Sequence, residues 1–353
     1  MTMTRTARLW CGIASAAIMA AAVVQAEARD LTVTSWGGAY QDAQRKVFFE
    51  PFTQETGIKL VEDSWDGGIG PLRAKTAGAP TWDLVQVEAD ELVLGCDEGI
   101  IEPIDFSKIG GEDAFLPQAV HECGVGAIVW GTVLAYDGDK FKDGGPQSWA
   151  DFFDTTKFPG KRALRKGPRQ ALEFALMADG VPLDQIYATL KTPEGVDRAF
   201  KKLDSIKNDL VFWEAGAQPP QLLGSGEVVM TSAYNGRVTA ANKTDHKNFK
   251  IAWPAGFVYQ IDSWAIPANS DKKAEAMTLL AWLTAPEHQK LLPPFIPYGP
   301  TNKEAAAQVD AAVMPDVPTA PDNLPHGLFY GRDFWVDNVE ALNERFNSWA
   351  AQK

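Results

Sequence analysis

A chain of 353 residues with a formal net charge of −13 is long enough for two ordinary domains and too acidic to bind nucleic acid through its phosphates. No basic stripe offsets that charge, and nothing beyond the N-terminal segment is long and apolar enough to span a bilayer. Acidity mildly favours cationic ligands, although it is also an ordinary route to solubility.

The N-terminus has the layout of a secretion signal. Arg5 and Arg8 form a positive region, Ile13 to Val24 an apolar one, and Val24-Gln25-Ala26 and Ala26-Glu27-Ala28 both offer small-x-small cleavage sites. Residues 1–26 are therefore expected to be a cleaved signal peptide, with a soluble, periplasmic mature chain. Cys11 leaves with the signal, so Cys96 and Cys123 remain as a pair in an oxidising compartment. That setting favours a disulfide over two separate buried thiols, and the bridge would add about 3 kcal/mol by closing a loop. No histidine or further cysteine stands at ligand spacing near either one, so no metal site is expected.

The mature chain starts with a strand, Leu31–Trp36, ending in an indole, two glycines and Tyr40. In open α/β sheets ligands bind at the carboxyl ends of strands, which makes this a pocket wall. A helix is expected over Gln41–Thr56, kinked or broken by Pro51 and stopped by Gly57, followed by a strand at Ile58–Val61. This is a βαβ unit with parallel strands. Trp82–Val87 reads as the third strand, and a helix passes through Glu91–Gly95.

A second α/β block follows. Val129–Tyr136 reads as a strand leaving the first domain, Ser148–Phe153 as a short capped helix and Lys161–Leu164 as a strand. Thr192-Pro193 opens a helix with its apolar stripe at Val196, Phe200, Leu203 and Ile206. Strands are expected at Glu227–Thr231 and Ile261–Ile266, and a long helix over Lys272–Leu291. The segment from Pro293 to Pro300 reads as a rigid turn, and Val336, Val339, Leu342, Phe346 and Trp349 as a last helical stripe.

Enzyme signatures are missing. The four histidines share no catalytic spacing with a serine or cysteine, Leu223–Gly226 lacks the nucleophile-elbow pattern, and Gly124-Val125-Gly126 lacks a third glycine. A hydrolase built from two carboxylates stays open as an alternative, because distances between acids are not visible in sequence. The positive signal is aromatic. The 12 tryptophans are many for this length, and Trp36, Tyr40, Trp130, Trp213, Tyr234, Tyr259 and Trp264 lie near strand or loop boundaries. Most such residues pack in cores, but Trp36 and Tyr234 each follow a strand and meet glycine or asparagine turn chemistry. Ring faces attract alkylammonium groups, and Asp262, Glu88 and Glu214 are candidate anionic anchors.

Ile261-Asp262-Ser263-Trp264-Ala265-Ile266-Pro267-Ala268-Asn269, Ser35-Trp36, Phe52–Lys59, Trp82–Val85, Tyr234-Asn235-Gly236 and Pro297–Asn302 carry a resemblance over almost the whole mature chain. It resembles the bacterial periplasmic spermidine/putrescine-binding proteins of ABC importers. The resemblance implies a type II periplasmic binding protein fold: two α/β lobes, each a mixed sheet flanked by helices, joined by hinge strands and closing on a ligand. Lobe 1 is expected at 29–137 and 261–303, lobe 2 at 138–260 and 304–353. It further implies Trp36 and Tyr234 as aromatic walls and Asp262 as the carboxylate that holds an amine.

Three departures bear on the ligand. The segment expected to hold an acidic pair for the distal amine is Arg165–Gln170 and is basic. Glu88 and Asp90 stand where a Ser/Tyr pair is usual, and an aromatic expected just before Asp262 is replaced near Tyr259-Gln260. One amine would bind Asp262 and Glu88, while the other end would meet Arg169 or Arg237, which prefer a carboxylate; Arg169 reads equally as a structural salt bridge. The expected ligand is thus a putrescine- or spermidine-like polyamine, with an ω-amino acid such as 4-aminobutyrate as the alternative. The expected ligand residues are Trp36, Tyr40, Glu88, Arg169, Trp213, Tyr234 and Asp262. A monomer without cofactor is expected, delivering its ligand to an inner-membrane permease.

Overall fold

The computed structural model describes residues 29–141 and 144–352; the segment read as a signal peptide lies outside the described residues. Eleven strands are present among them: β1 Leu31–Ser35, β2 Leu60–Ser64, β3 Leu84–Val87, β4 Val120–His121, β5 Gly124–Asp137, β6 Arg162–Arg165, β7 Leu210–Trp213, β8 Met230–Tyr234, β9 Phe249–Ile251, β10 Phe257–Ala265 and β11 Gly327–Phe329. They form a curled mixed sheet in the order β2-β1-β3-β10-β5-β8-β6-β7. β1 is parallel to both β2 and β3, as the βαβ reading expects, and β6 is parallel to β7 and β8.

Two long antiparallel strands join the lobes. β5 runs for 14 residues; its part from Val125 to Thr132 pairs with Val258–Trp264 of β10, and its later part with β8 and β9. β10 pairs with β3 at its far end, Ser263–Ala265. Separate apolar cores flank this crossing. One gathers Leu31, Val33, Phe52, Ile128 and Leu279, and the other Phe152, Leu172, Phe200, Trp335 and Phe346. The fold is the two-lobed α/β type expected.

Local departures from the sequence reading have simple causes. The helix over Gly38–Thr56 is continuous, but Arg45–Phe49 widens into a π-turn immediately before Pro51. A proline ring clashes with the carbonyl four residues earlier, and the wider turn relieves that clash in place of a break. Gly57, at φ 73°, closes the helix in the left-handed conformation that glycine tolerates. The helix expected through Lys272–Leu291 is in fact two, Lys273–Thr284 and Pro286–Gln289. Ala285 lies in the extended region because the following proline disfavours a helical ψ. Strand β5 begins five residues before the expected Val129, since its early part is buried on both faces and shows no alternation. Ser148 and Thr192 cap their helices as expected, accepting from the amides of Asp151 and Gly195.

Cys96 and Cys123 form a disulfide with Cα atoms 5.7 Å apart. It ties the end of helix Ala89–Asp97 to the turn that enters β5, inside a small core with Leu72, Trp82, Val85 and Leu92. Replacing both cysteines by alanine is expected to lower the unfolding free energy by about 3 kcal/mol, read as a lower urea midpoint with a larger m-value, since the unfolded chain without the cross-link exposes more surface.

Candidate functional site

A cleft with about 440 Å³ of space between its atoms lies at the strand ends of both lobes. The first lobe lines it with Trp36, Tyr40, Trp65, Asp66, Glu88, Ile128, Trp130, Asp262 and Tyr298, and the second with Arg165, Glu214, Gly216, Tyr234 and Arg237. The topology explains the gathering. Trp36, Trp65 and Glu88 each follow directly on the parallel strands β1, β2 and β3, where open α/β sheets present ligand groups. Ile128 and Trp130 alternate on one face of hinge strand β5, and Asp262 stands opposite Ile128 on β10.

Aromatic rings make the walls. Trp36 and Trp65 stack at 5.4 Å and 10°, while Trp130 and Tyr234 meet edge-on at 4.7 Å. Tyr40 packs edge-on against Tyr298 at 5.3 Å. A buried polar network fixes Tyr40 from behind: Gln86 Nε2 donates to its hydroxyl at 2.9 Å, and Ser35 and Gln44 bond Gln86 Oε1. The aromatic faces are thus held by groups outside the cleft.

Two carboxylates are buried in the cleft wall, and their surroundings differ. Asp262 accepts from the Trp130 indole at 2.5 Å and has no cationic partner within 4 Å among the described residues. Burial, with the nearby Glu88 charge adding to it, pushes its carboxyl well above the usual range. Glu88 instead meets Arg165 at 2.7 Å and Arg169 at 2.8 Å. Burial works against its charge, but the two guanidiniums outweigh burial and hold it below the usual range. Glu91, next in the same turn, is pushed up to about 7 by burial and by Glu88.

Arg237 is the complement of Asp262. Its two terminal nitrogens donate to the carbonyls of Gly37 at 2.9 Å and Trp36 at 3.0 Å, and its Nε is buried without a partner. It has no ion-pair partner among the described residues. A Cβ on Gly38 would stand 2.7 Å from the guanidinium, so this turn needs glycine for close approach as well as for its φ of 54°. The buried Trp36 indole N–H lies close enough to Asp262 to favour its charged form, against the stronger effect of burial. The cleft therefore offers the unpartnered Nε of Arg237 and one acid without a cation, Asp262.

Of the residues named from sequence, Trp36, Tyr40, Glu88, Tyr234 and Asp262 come together here. Trp213 does not. It is buried behind Tyr234, edge-on at 5.2 Å, with its indole donating to Ser232, because alternation along β7 turns it into the core with Ala163 and Leu223. Arg169 is also outside the cleft wall, held by Asp90 at 2.9 Å as well as by Glu88; the salt-bridge reading of it is the one observed. Sequence reasoning missed Trp65, Asp66, Arg165 and Tyr298 as cleft residues. Trp65 follows β2 just as Trp36 follows β1, but the strand runs three residues past the expected Val61, hiding the equivalence.

A family model described as bacterial extracellular solute-binding protein matches residues 48–322. The chain belongs to that family. This solute-binding protein is 45% identical to the gamma-aminobutyric acid-binding protein of Pseudomonas aeruginosa over 333 residues, 94% of each chain. It is 25% identical to the spermidine/putrescine-binding periplasmic protein of Escherichia coli over 284 residues, 77% of this chain and 79% of that one. Among solved structures, the Atu4243-GABA receptor superposes with a TM-score of 0.80 at 34% identity, covering 92% of this chain and 98% of that one.

The raised carboxyl of Asp262 has a consequence for stability. Its folded form binds a proton more tightly than its unfolded form, so its contribution is full below the unfolded value and is lost as pH rises through the folded one. In the ligand-free protein, Asp262→Asn is expected to remove that loss. Urea unfolding at pH 4.5 and 7.5 would show the variant gaining on the parent as pH rises.

Proposed function

We propose that this solute-binding protein captures an ω-amino acid of the 4-aminobutyrate type between its lobes and hands it to an inner-membrane ABC importer. One observation carries the reading: a single cleft holds a buried carboxylate with no cation, Asp262, and a buried guanidinium with no carboxylate, Arg237. A molecule with an ammonium at one end and a carboxylate at the other supplies both missing charges. The ammonium would sit against Asp262 beside the Trp130 and Tyr234 rings, whose faces favour cations. The carboxylate would take the free Nε of Arg237.

The relatives support this alternative over the polyamine expectation. The Pseudomonas relative and the Atu4243 structure carry the 4-aminobutyrate name at 45% and 34% identity, against 25% for the E. coli polyamine binder. We also propose that residues 1–26 direct export to the periplasm and that the lobes divide at 29–137 with 261–303 and at 138–260 with 304–353. No bond is made or broken in this cycle. Ligand binding stabilises the closed arrangement by contacts to both lobes, and release reverses it.

Calorimetric titration of protein stripped of carried-over ligand tests the reading. 4-Aminobutyrate is expected to bind one per chain and putrescine far more weakly. Asp262→Asn and Arg237→Gln should each cost at least a hundredfold in affinity, about 3 kcal/mol, because each leaves one ligand charge buried and unpaired. Putrescine binding more tightly than 4-aminobutyrate would overturn it.

A further inference from the structure

Arg165 enters the cleft wall from the end of β6, yet its charge is already spent. NH1 lies 2.7 Å from Glu88 Oε1, across the gap between the lobes, and its side chain is only 11% exposed. Glu88 and Asp262 are the two buried carboxylates of the wall, and Asp262 feels the charge of Glu88. Asp66 and Glu214, the other acids lining it, are exposed. An ammonium placed at Asp262 thus has one buried acid within the same cleft on which a second ammonium could land, and Arg165 occupies it.

Both oxygens of Glu88 hold a guanidinium only with Arg165 in place. Arg169 serves both Asp90, at 2.9 Å, and the second oxygen of Glu88, at 2.8 Å. Two guanidiniums therefore face two carboxyl groups, Glu88 and Asp90. Glu91 contributes its oxygens to the amides of Gly68 and Glu88. Tyr330 donates to Asp90 at 3.2 Å and carries no charge of its own. Without Arg165, Glu88 would keep only the Arg169 guanidinium it shares with Asp90; with it, both Glu88 oxygens hold a guanidinium, and a further cation there adds a desolvation cost.

We propose that Arg165 is a specificity-determining residue: its guanidinium is a counter-cation built into the chain, seated on Glu88 in place of the second ammonium of a diamine. The cleft then accepts one ammonium, at Asp262, and refuses a linear diamine of the same length. This rests on the amino-acid reading above and extends it, since that reading concerns which charges the ligand must bring, and this one concerns which charge it must not bring. It also makes the refusal a property of one side chain on the second lobe.

The test compares putrescine with 1-aminobutane, which has the same chain and lacks the second ammonium. In the unaltered protein putrescine is expected to bind no more tightly than 1-aminobutane, and undetectable binding of both satisfies this. Arg165→Gln is expected to improve the putrescine dissociation constant at least tenfold. Arg165→Lys, which keeps a cation, should retain the refusal, and the double variant Arg165→Gln/Glu88→Gln should lose the gain. A putrescine advantage of tenfold or more in the unaltered protein overturns the proposal, whatever the variants do. So does a folded Arg165→Gln, judged by far-ultraviolet circular dichroism, that gains nothing for putrescine. If 4-aminobutyrate binds the unaltered protein while Arg165→Gln gains nothing, only the role of Arg165 fails. If 4-aminobutyrate does not bind at all, the amino-acid reading fails with it.

Discussion

Glu88 lies at the carboxyl end of β3 on one lobe and faces Arg165 and Arg169 from the other, at 2.7 and 2.8 Å. Charges buried this deeply are costly to desolvate and repay that cost only when each finds a well-placed partner. The pairing ties the turn after β3 to the end of β6 and the segment that follows it. The capping-box geometry around it depends on the same turn: Glu91 accepts from the Glu88 amide at 2.9 Å and also from Gly68, whose loop carries Trp65 and Asp66 over the cleft. Closure, the ceiling of the site and the charge balance thus meet in one helical turn, Glu88–Glu91.

The remaining charges make closure conditional. Asp262 and Arg237 are left facing the cleft without partners, and closing over them empty strands a carboxylate and a guanidinium away from water. A ligand that neutralises both removes that penalty, which is how a small molecule biases the lobes toward the closed form. Glu88 and Asp262 show how the same side-chain chemistry takes opposite roles. One is pulled down by guanidiniums and serves the fold, and the other is pushed up by burial and awaits a cation.

The rigid parts of the site rest on ordinary packing. Tyr40 is oriented by Gln86, Trp130 by its place on the hinge strand, and Arg237 by two carbonyls of the glycine turn after β1. The disulfide holds the far end of the helix that begins at Glu88. A site supported in this way keeps its geometry while the lobes move.

Much of this was legible in the order of residues. The βαβ start, the caps at Ser148 and Thr192, the stop at Gly57, the cysteine pair and the placing of Trp36, Tyr234 and Asp262 all rest on local rules about turns, periodicity and strand ends. The role of Asp262 was legible in another way, through the family resemblance carried by Ile261–Asn269. The errors have a common origin, because they concern neighbours far away in sequence. Trp213 and Tyr234 both end strands, but only the sheet order puts one in front of the other. Arg165 and Arg169 are four apart on a basic segment, and nothing in that segment shows that Glu88, 77 positions earlier, takes up the first of them. Sequence by itself determined which chemical groups are available and where the chain turns, because backbone preferences act over a few residues. Tertiary structure alone decided which charges are already paired and which are left for a ligand, because pairing depends on distances set by the closing of two lobes.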